Sequence, residues 1–63
     1  MKSKGRKLTG MKEISAYARR SEATVIDWIL REDFPADNVD GVWETTTGRV
    51  DSFYRAKAME ALG

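Results

Sequence analysis

A chain of 63 residues has room for one small domain, and at that size roughly 60% of the unfolded surface can be buried, so the core must be small. The chain contains no cysteine and no histidine, which excludes disulfides and thiolate metal sites and removes the commonest metal ligand and general base; with little space for a water-excluding pocket around a carboxylate pair, no catalysis, cofactor, metal site or small-molecule substrate is expected. The net charge of +1 conceals an asymmetry, because residues 1–20 hold seven bases against one acid and residues 21–63 hold four bases against nine acids, the pattern of a nucleic-acid-seeking arm on an acidic body.

Residues 1–8, MKSKGRKL, carry four bases and almost no apolar content, so the segment reads as a flexible basic arm. Lys4, Arg6 and Lys7 can lie along phosphates or enter a minor groove; the alternative is a solubilising terminus. No apolar run approaches the roughly 18 residues of a membrane span, and no apolar signal segment follows the charged start, so a cytoplasmic protein without membrane contact is expected.

Thr9 is the predicted N-cap of a first helix in which Met11, Ile14, Tyr17 and Ala18 share one face. Lys12, Glu13 and Arg19 then point outward, and Lys12 sits where a phosphate strand can cross the helix or is simply a solvated face residue. A tight turn at Arg19, Arg20 and Ser21 leads into a second helix. The Ser21 hydroxyl can accept from the amide of Ala23 or Thr24, with Glu22 on the positive end of the dipole. Val25, Trp28 and Ile29 form the inward stripe, which makes Trp28 a core anchor rather than a base-stacking platform. Glu22, Ala23, Ile26, Asp27 and Leu30, with Arg31 at the edge, point outward. Two short helices joined in this way have the arrangement of a DNA-binding helix-turn-helix.

The second helix should end at Glu32 and Asp33, because Pro35 disfavours helical geometry at Phe34, which drops into the core. Residues 38–45, NVDGVWET, predict a short hairpin turning at Asp40-Gly41, with Val39 or Val42 and Trp43 reaching inward. Thr46 or Thr47 can cap a last helix in which Val50, Phe53, Tyr54, Ala58, Ala61 and Leu62 follow helical spacing and close the core. The expected fold is mainly α with a small β-hairpin, a single domain over residues 9–63 in the order helix, turn, helix, two-stranded wing, helix.

KEISAYARRSEATVIDWILREDFP, followed by GVWET and GRVDSFYR, resembles the small MerR-like winged helix-turn-helix proteins of phage and mobile elements, among them excisionase-type proteins, phage regulators and the DNA-binding domain of terminase small subunits. The similarity covers about residues 10–57. It implies that the helix opened by Ser21 enters the major groove of double-stranded DNA, with Ser21, Glu22, Ala23, Thr24 and Asp27 near the DNA, Arg20 in the turn, Arg31 at the far end and the wing against backbone or minor groove. The chemistry of these residues fits such a position: hydroxyls of Ser21 and Thr24 can bond phosphates or base edges, Ala23 can touch a thymine methyl, and Glu22 or Asp27 can accept from the cytosine amine. Two departures stand out. Helix-turn-helix turns commonly have Gly where Arg19 sits and an apolar residue where Arg20 sits, so a rearranged, less buried turn is expected. The wing offers Asp40 and Glu44 where the family often has bases, leaving Arg49 as the base nearest to it. Affinity must then rest on Arg19, Arg20, Arg31, Lys12 and the arm.

Two functions follow. One is sequence-specific DNA binding in regulation, excision or packaging, with a homodimer or a larger phage or recombination protein supplying the contacts that one small module lacks. The other is a protein-interaction module on the same scaffold, suggested by the acids Glu22, Asp27, Glu32, Asp33 and Asp37 and by an outward Ile26 and Leu30, residues that otherwise pack on the hairpin or last helix.

Overall fold

The computed structural model describes residues 5–62. They form three helices and a three-stranded antiparallel sheet in the order β1 (Lys7–Thr9), α1 (Met11–Ala18), α2 (Glu22–Arg31), β2 (Asp37–Val39), β3 (Val42–Thr46) and α3 (Thr47–Leu62). The sheet order is β1-β3-β2, so the hairpin strand β3 lies in the middle.

β1 corrects two expectations at once. The arm was expected to run through residue 8, yet Lys7 pairs with Thr46, Leu8 with Thr45 and Thr9 with Glu44, and Leu8 is 1% exposed in the core. A single apolar residue in a basic stretch suffices for this, because a strand sends alternate side chains to opposite faces and needs only one of three inward. Arg6 and Thr47 tie the strand entry to α3, with the Arg6 amide donating to Thr47 Oγ1 (2.8 Å) and the Thr47 amide to the Arg6 carbonyl (2.9 Å). The two-stranded wing is therefore part of a three-stranded sheet. Lys4 lies outside the described residues.

Gly10, at φ 88°, turns the chain from β1 into α1, a conformation that costs glycine nothing and a side chain strain. Its amide donates to the Trp43 carbonyl (2.7 Å) and its carbonyl accepts from Ile14 (3.1 Å). Gly10 rather than Thr9 occupies the N-cap position; Thr9 is in the strand, its amide donating to Glu13 Oε1 (2.9 Å). Ile14 and Ala18 face the core as expected, with Met11 packed against it. Tyr17 turns outward instead, and its hydroxyl donates to Asp51 Oδ1 (2.8 Å) on α3.

Ser21 caps α2 by accepting from the Thr24 amide (3.1 Å). Val25 is fully buried, and Trp28 and Ile29 pack against the core. The helix stops at Arg31; Asp33, at φ 61°, reverses the chain and delivers Phe34 inside. In the hairpin both Asp40 (φ 53°) and Gly41 (φ 85°) are left-handed, the pair of positive φ angles that a two-residue type I′ turn requires. Trp43 packs against the core, but Val39 and Val42 form an exposed cross-strand pair at the tip, contrary to expectation for either valine. Thr46 caps the start of α3 through Oγ1 to the Arg49 amide (3.2 Å).

The core comprises Leu8, Ile14, Ala18, Val25, Phe34, Val50 and Phe53. Tyr54 joins it from α3 and donates its hydroxyl to the Ala18 carbonyl at the end of α1 (2.5 Å). Ala58, Ala61 and Leu62 continue the helical spacing but do not close the core; all three are exposed, because the body of the domain ends near Lys57, which pairs with Glu32 (2.6 Å).

Leu8→Ala should cost about 2 to 5 kcal/mol, comparable to the roughly 3 to 5 kcal/mol that so small a core supplies; urea unfolding followed by tryptophan fluorescence should show the midpoint collapse, whereas a flexible arm would leave it unmoved. A second expectation concerns alkaline pH. The hydrogen bond to Asp51, with burial and the Asp51 charge adding to it, raises the Tyr17 pKa above 10.0, and the hydrogen bond to Glu32 raises the Lys57 pKa above 10.5 despite partial desolvation. Both folded values lie above the unfolded ones, so these contacts contribute fully at lower pH and are lost as pH rises through the folded values. The drop in melting temperature from about pH 9 to about pH 11 should therefore be smaller in the double variant Tyr17→Phe, Lys57→Met than in the parent.

Candidate nucleic-acid interface

The turn between α1 and α2 is made by Arg19, at φ 60° and ψ 41°. This is the left-handed region that glycine favours, so arginine holds a glycine-type turn at a steric cost and the backbone is not rearranged as expected, although the turn is exposed. The Arg19 amide bonds the Ala16 carbonyl (3.3 Å) and the Arg20 amide the Ser15 carbonyl (3.2 Å), closing the end of α1. Both side chains are exposed, as are Lys12 and Ala16, which lie one turn apart on the same stripe of α1. Immediately after the turn, α2 presents Glu22 and Ala23, both exposed, with Thr24 half-buried.

On α2 the positions opposite Val25 and Trp28 are Ala23, Ile26, Asp27 and Leu30, with the exposed Glu22 and Arg31 at the two edges of that face. Ile26 is 39% exposed and Leu30 74%, and neither belongs to the core or to the residues packed against it. Ile26 thus belongs with the outward face of the helix, and its position one turn beyond Glu22 was the signal in the sequence.

Ion pairs divide the expected cations into two groups. Arg31 Nε lies 2.9 Å from Asp27 Oδ1 on the same helix, Arg49 3.0 Å from Asp37 on β2, and Lys7 3.1 Å from Glu44 on β3. Exposed pairs of this kind add at most about 1 kcal/mol each to stability, but each cancels a charge that a phosphate would otherwise meet. Arg6, Lys12, Arg19 and Arg20 form no ion pair with another described residue. Arg6 stands apart from the turn, lining a hollow with Lys7, Leu8, Glu13, Ala16 and Tyr17 between β1 and α1. Arg49 belongs to the sheet side, at the start of α3. The structure thus brings Arg19, Arg20, Ser21, Glu22, Ala23 and Thr24 together about the turn, with Lys12 on the flanking stripe, and separates Arg49 and Lys7 from them. Among the described residues no group of three or more Asp and Glu side chains is placed to hold a metal ion.

Arg19→Gly separates the two roles of the turn. Relief of the left-handed strain should raise stability by about 1 kcal/mol in urea unfolding, while the same change removes one of the free cations. Comparisons with protein-family models, with curated proteins and with solved structures found no match to this chain.

Proposed function

We propose that this protein binds double-stranded DNA as a winged helix-turn-helix module, with α2 in the major groove, α1 crossing the backbone and the β2–β3 hairpin as the wing. The phage and mobile-element regulators, excision factors and packaging proteins that its sequence resembles supply the biological setting of the proposal. The observation that carries it is the pairing of two unneutralised arginines, Arg19 and Arg20, with the exposed outer face of a capped helix that begins two residues later. The inward face of that helix is fully occupied by Val25, Trp28 and Ile29, so its outer face is free to enter a groove. The amides of Glu22 and Ala23 at the helix start can donate to a phosphate oxygen, helped by the dipole.

Charge sets the strength of this binding. With Arg31, Arg49 and Lys7 engaged by acids, the unpaired bases ahead of α2 among the described residues, Arg6, Lys12, Arg19 and Arg20, can neutralise phosphates, while Arg55, also without an ion pair, lies on α3. Four such contacts give a slope of log affinity against log salt of about −3 to −4, and weak binding by a single copy. Useful specificity then calls for a second copy, tandem sites or a larger partner protein.

A second reading, a protein-interaction module on the same scaffold, is favoured by one observation: Leu30, at 74% exposure, stands on the face that would enter the groove. A mobility-shift titration of the full chain between about 50 and 200 mM salt separates the two. DNA binding predicts the slope above, reduced by about one unit in Arg20→Ala. Absence of any shift at low salt eliminates the first reading, and the second then predicts that Leu30→Asp abolishes partner binding while leaving the fold intact.

A further inference from the structure

Building on the DNA-binding reading, we propose that Glu22 is the specificity-determining residue of α2, and that with Ile26 and Ala23 it selects a cytosine flanked by a thymine. The hydrogen bonds and ion pair of α2 leave it as the one free carboxylate of the helix, at the edge of the outward face. Ser21 Oγ is engaged twice, accepting from the Thr24 amide (3.1 Å) and donating to Thr24 Oγ1 (2.9 Å). Asp27 is held by Arg31 at 2.9 Å. Glu22 is exposed and has neither an ion pair nor a side-chain hydrogen bond among the described residues. Of the two carboxylates able to accept from a base, Asp27 is therefore taken and Glu22 is available.

The major-groove edge decides which base suits an acceptor. Guanine offers N7 and O6, thymine O4, and adenine a donor beside the N7 acceptor, so a carboxylate meets at least one repelling acceptor on each of these. Cytosine presents only its N4 amine as a polar group there. The same carboxylate is repelled by phosphates everywhere, so its presence on a groove-facing helix is favourable only where that amine is met. Ile26 lies one turn on from Glu22 and puts methyl groups beside the carboxylate, and Ala23 adjoins Ile26 on the outer side. A helical turn rises about 5.4 Å and base pairs stack about 3.4 Å apart, so the Ile26 methyls reach a neighbouring pair. The apolar group exposed in that groove is the thymine C5 methyl.

The test is selection of duplexes from a random pool by the full chain, followed by titrations on the selected duplex. The parent protein should enrich cytosine next to thymine and discriminate about tenfold or more against replacement of that cytosine. Glu22→Gln, whose amide suits adenine N6 and N7, should move the preference to adenine. Replacing the neighbouring thymine by uracil should weaken the parent more than it weakens Ile26→Ala, in which part of the apolar contact to that methyl is already gone. The inference is overturned if Glu22→Gln enriches the same sequence, or if Glu22→Ala raises affinity for every duplex equally, which would make Glu22 only a repelling charge. Salt-dependent binding with no enriched sequence overturns it while leaving DNA binding standing; no binding at low salt overturns both.

Discussion

The position of the Trp28 ring governs what α2 can show to solvent. Its centroid lies 5.3 Å from Phe53, 5.8 Å from Tyr54 in an edge-on arrangement, and 6.1 Å from Phe34. Offset and edge-on aromatic contacts at such distances add stability beyond the area they bury. With Val25 and Ile29 they lock the rotation of the helix about its axis, and the 3.6-residue period then leaves Ala23, Ile26, Asp27 and Leu30 on the far side, with Glu22 at its edge. The exposed face of the candidate interface is thus set by the core behind it. Tyr54 extends the same constraint to α1, since its hydroxyl satisfies the Ala18 carbonyl at the helix end just before the turn.

Electrostatics works against this geometry as much as with it. The excess of acid after residue 20 is distributed over β2, β3 and α2, where Asp37, Glu44 and Asp27 each hold a base that would otherwise face outward. Apart from Arg55 on α3, the unpaired bases among the described residues lie before α2, at Arg6, Lys12, Arg19 and Arg20. A polyanion would therefore be attracted to the edge of the helix pair, and the helix itself would contribute shape and polarity more than charge. The left-handed arginine at position 19 fits that division, because a glycine there would relax the backbone and remove a cation from the turn.

Much of this arrangement was legible in the residues. The caps and turns are local: Ser21 followed by Thr24, Asp40-Gly41, and Phe34-Pro35 each specify a backbone conformation through contacts within a few residues, and each formed as expected. The inward stripe Val25, Trp28, Ile29 follows from periodicity alone. β1 was not legible, because three residues with one apolar side chain have no periodic signal, and their strand character comes from pairing with a strand almost forty residues away. The end of α3 misled for the opposite reason: Ala58, Ala61 and Leu62 keep a perfect helical spacing, but periodicity cannot say where the neighbouring elements stop.

The amino-acid sequence by itself determined the three helices, the hairpin, the cap and the outward set on α2, since these depend on short-range hydrogen bonding and on the period of the apolar residues. Only the tertiary structure decided which charges remain available. Whether Arg31, Arg49 and Lys7 are free depends on the carboxylates that packing brings beside them, two of the three from other elements, and whether Leu8 belongs to an arm or to the core depends on a strand pairing that no local preference encodes.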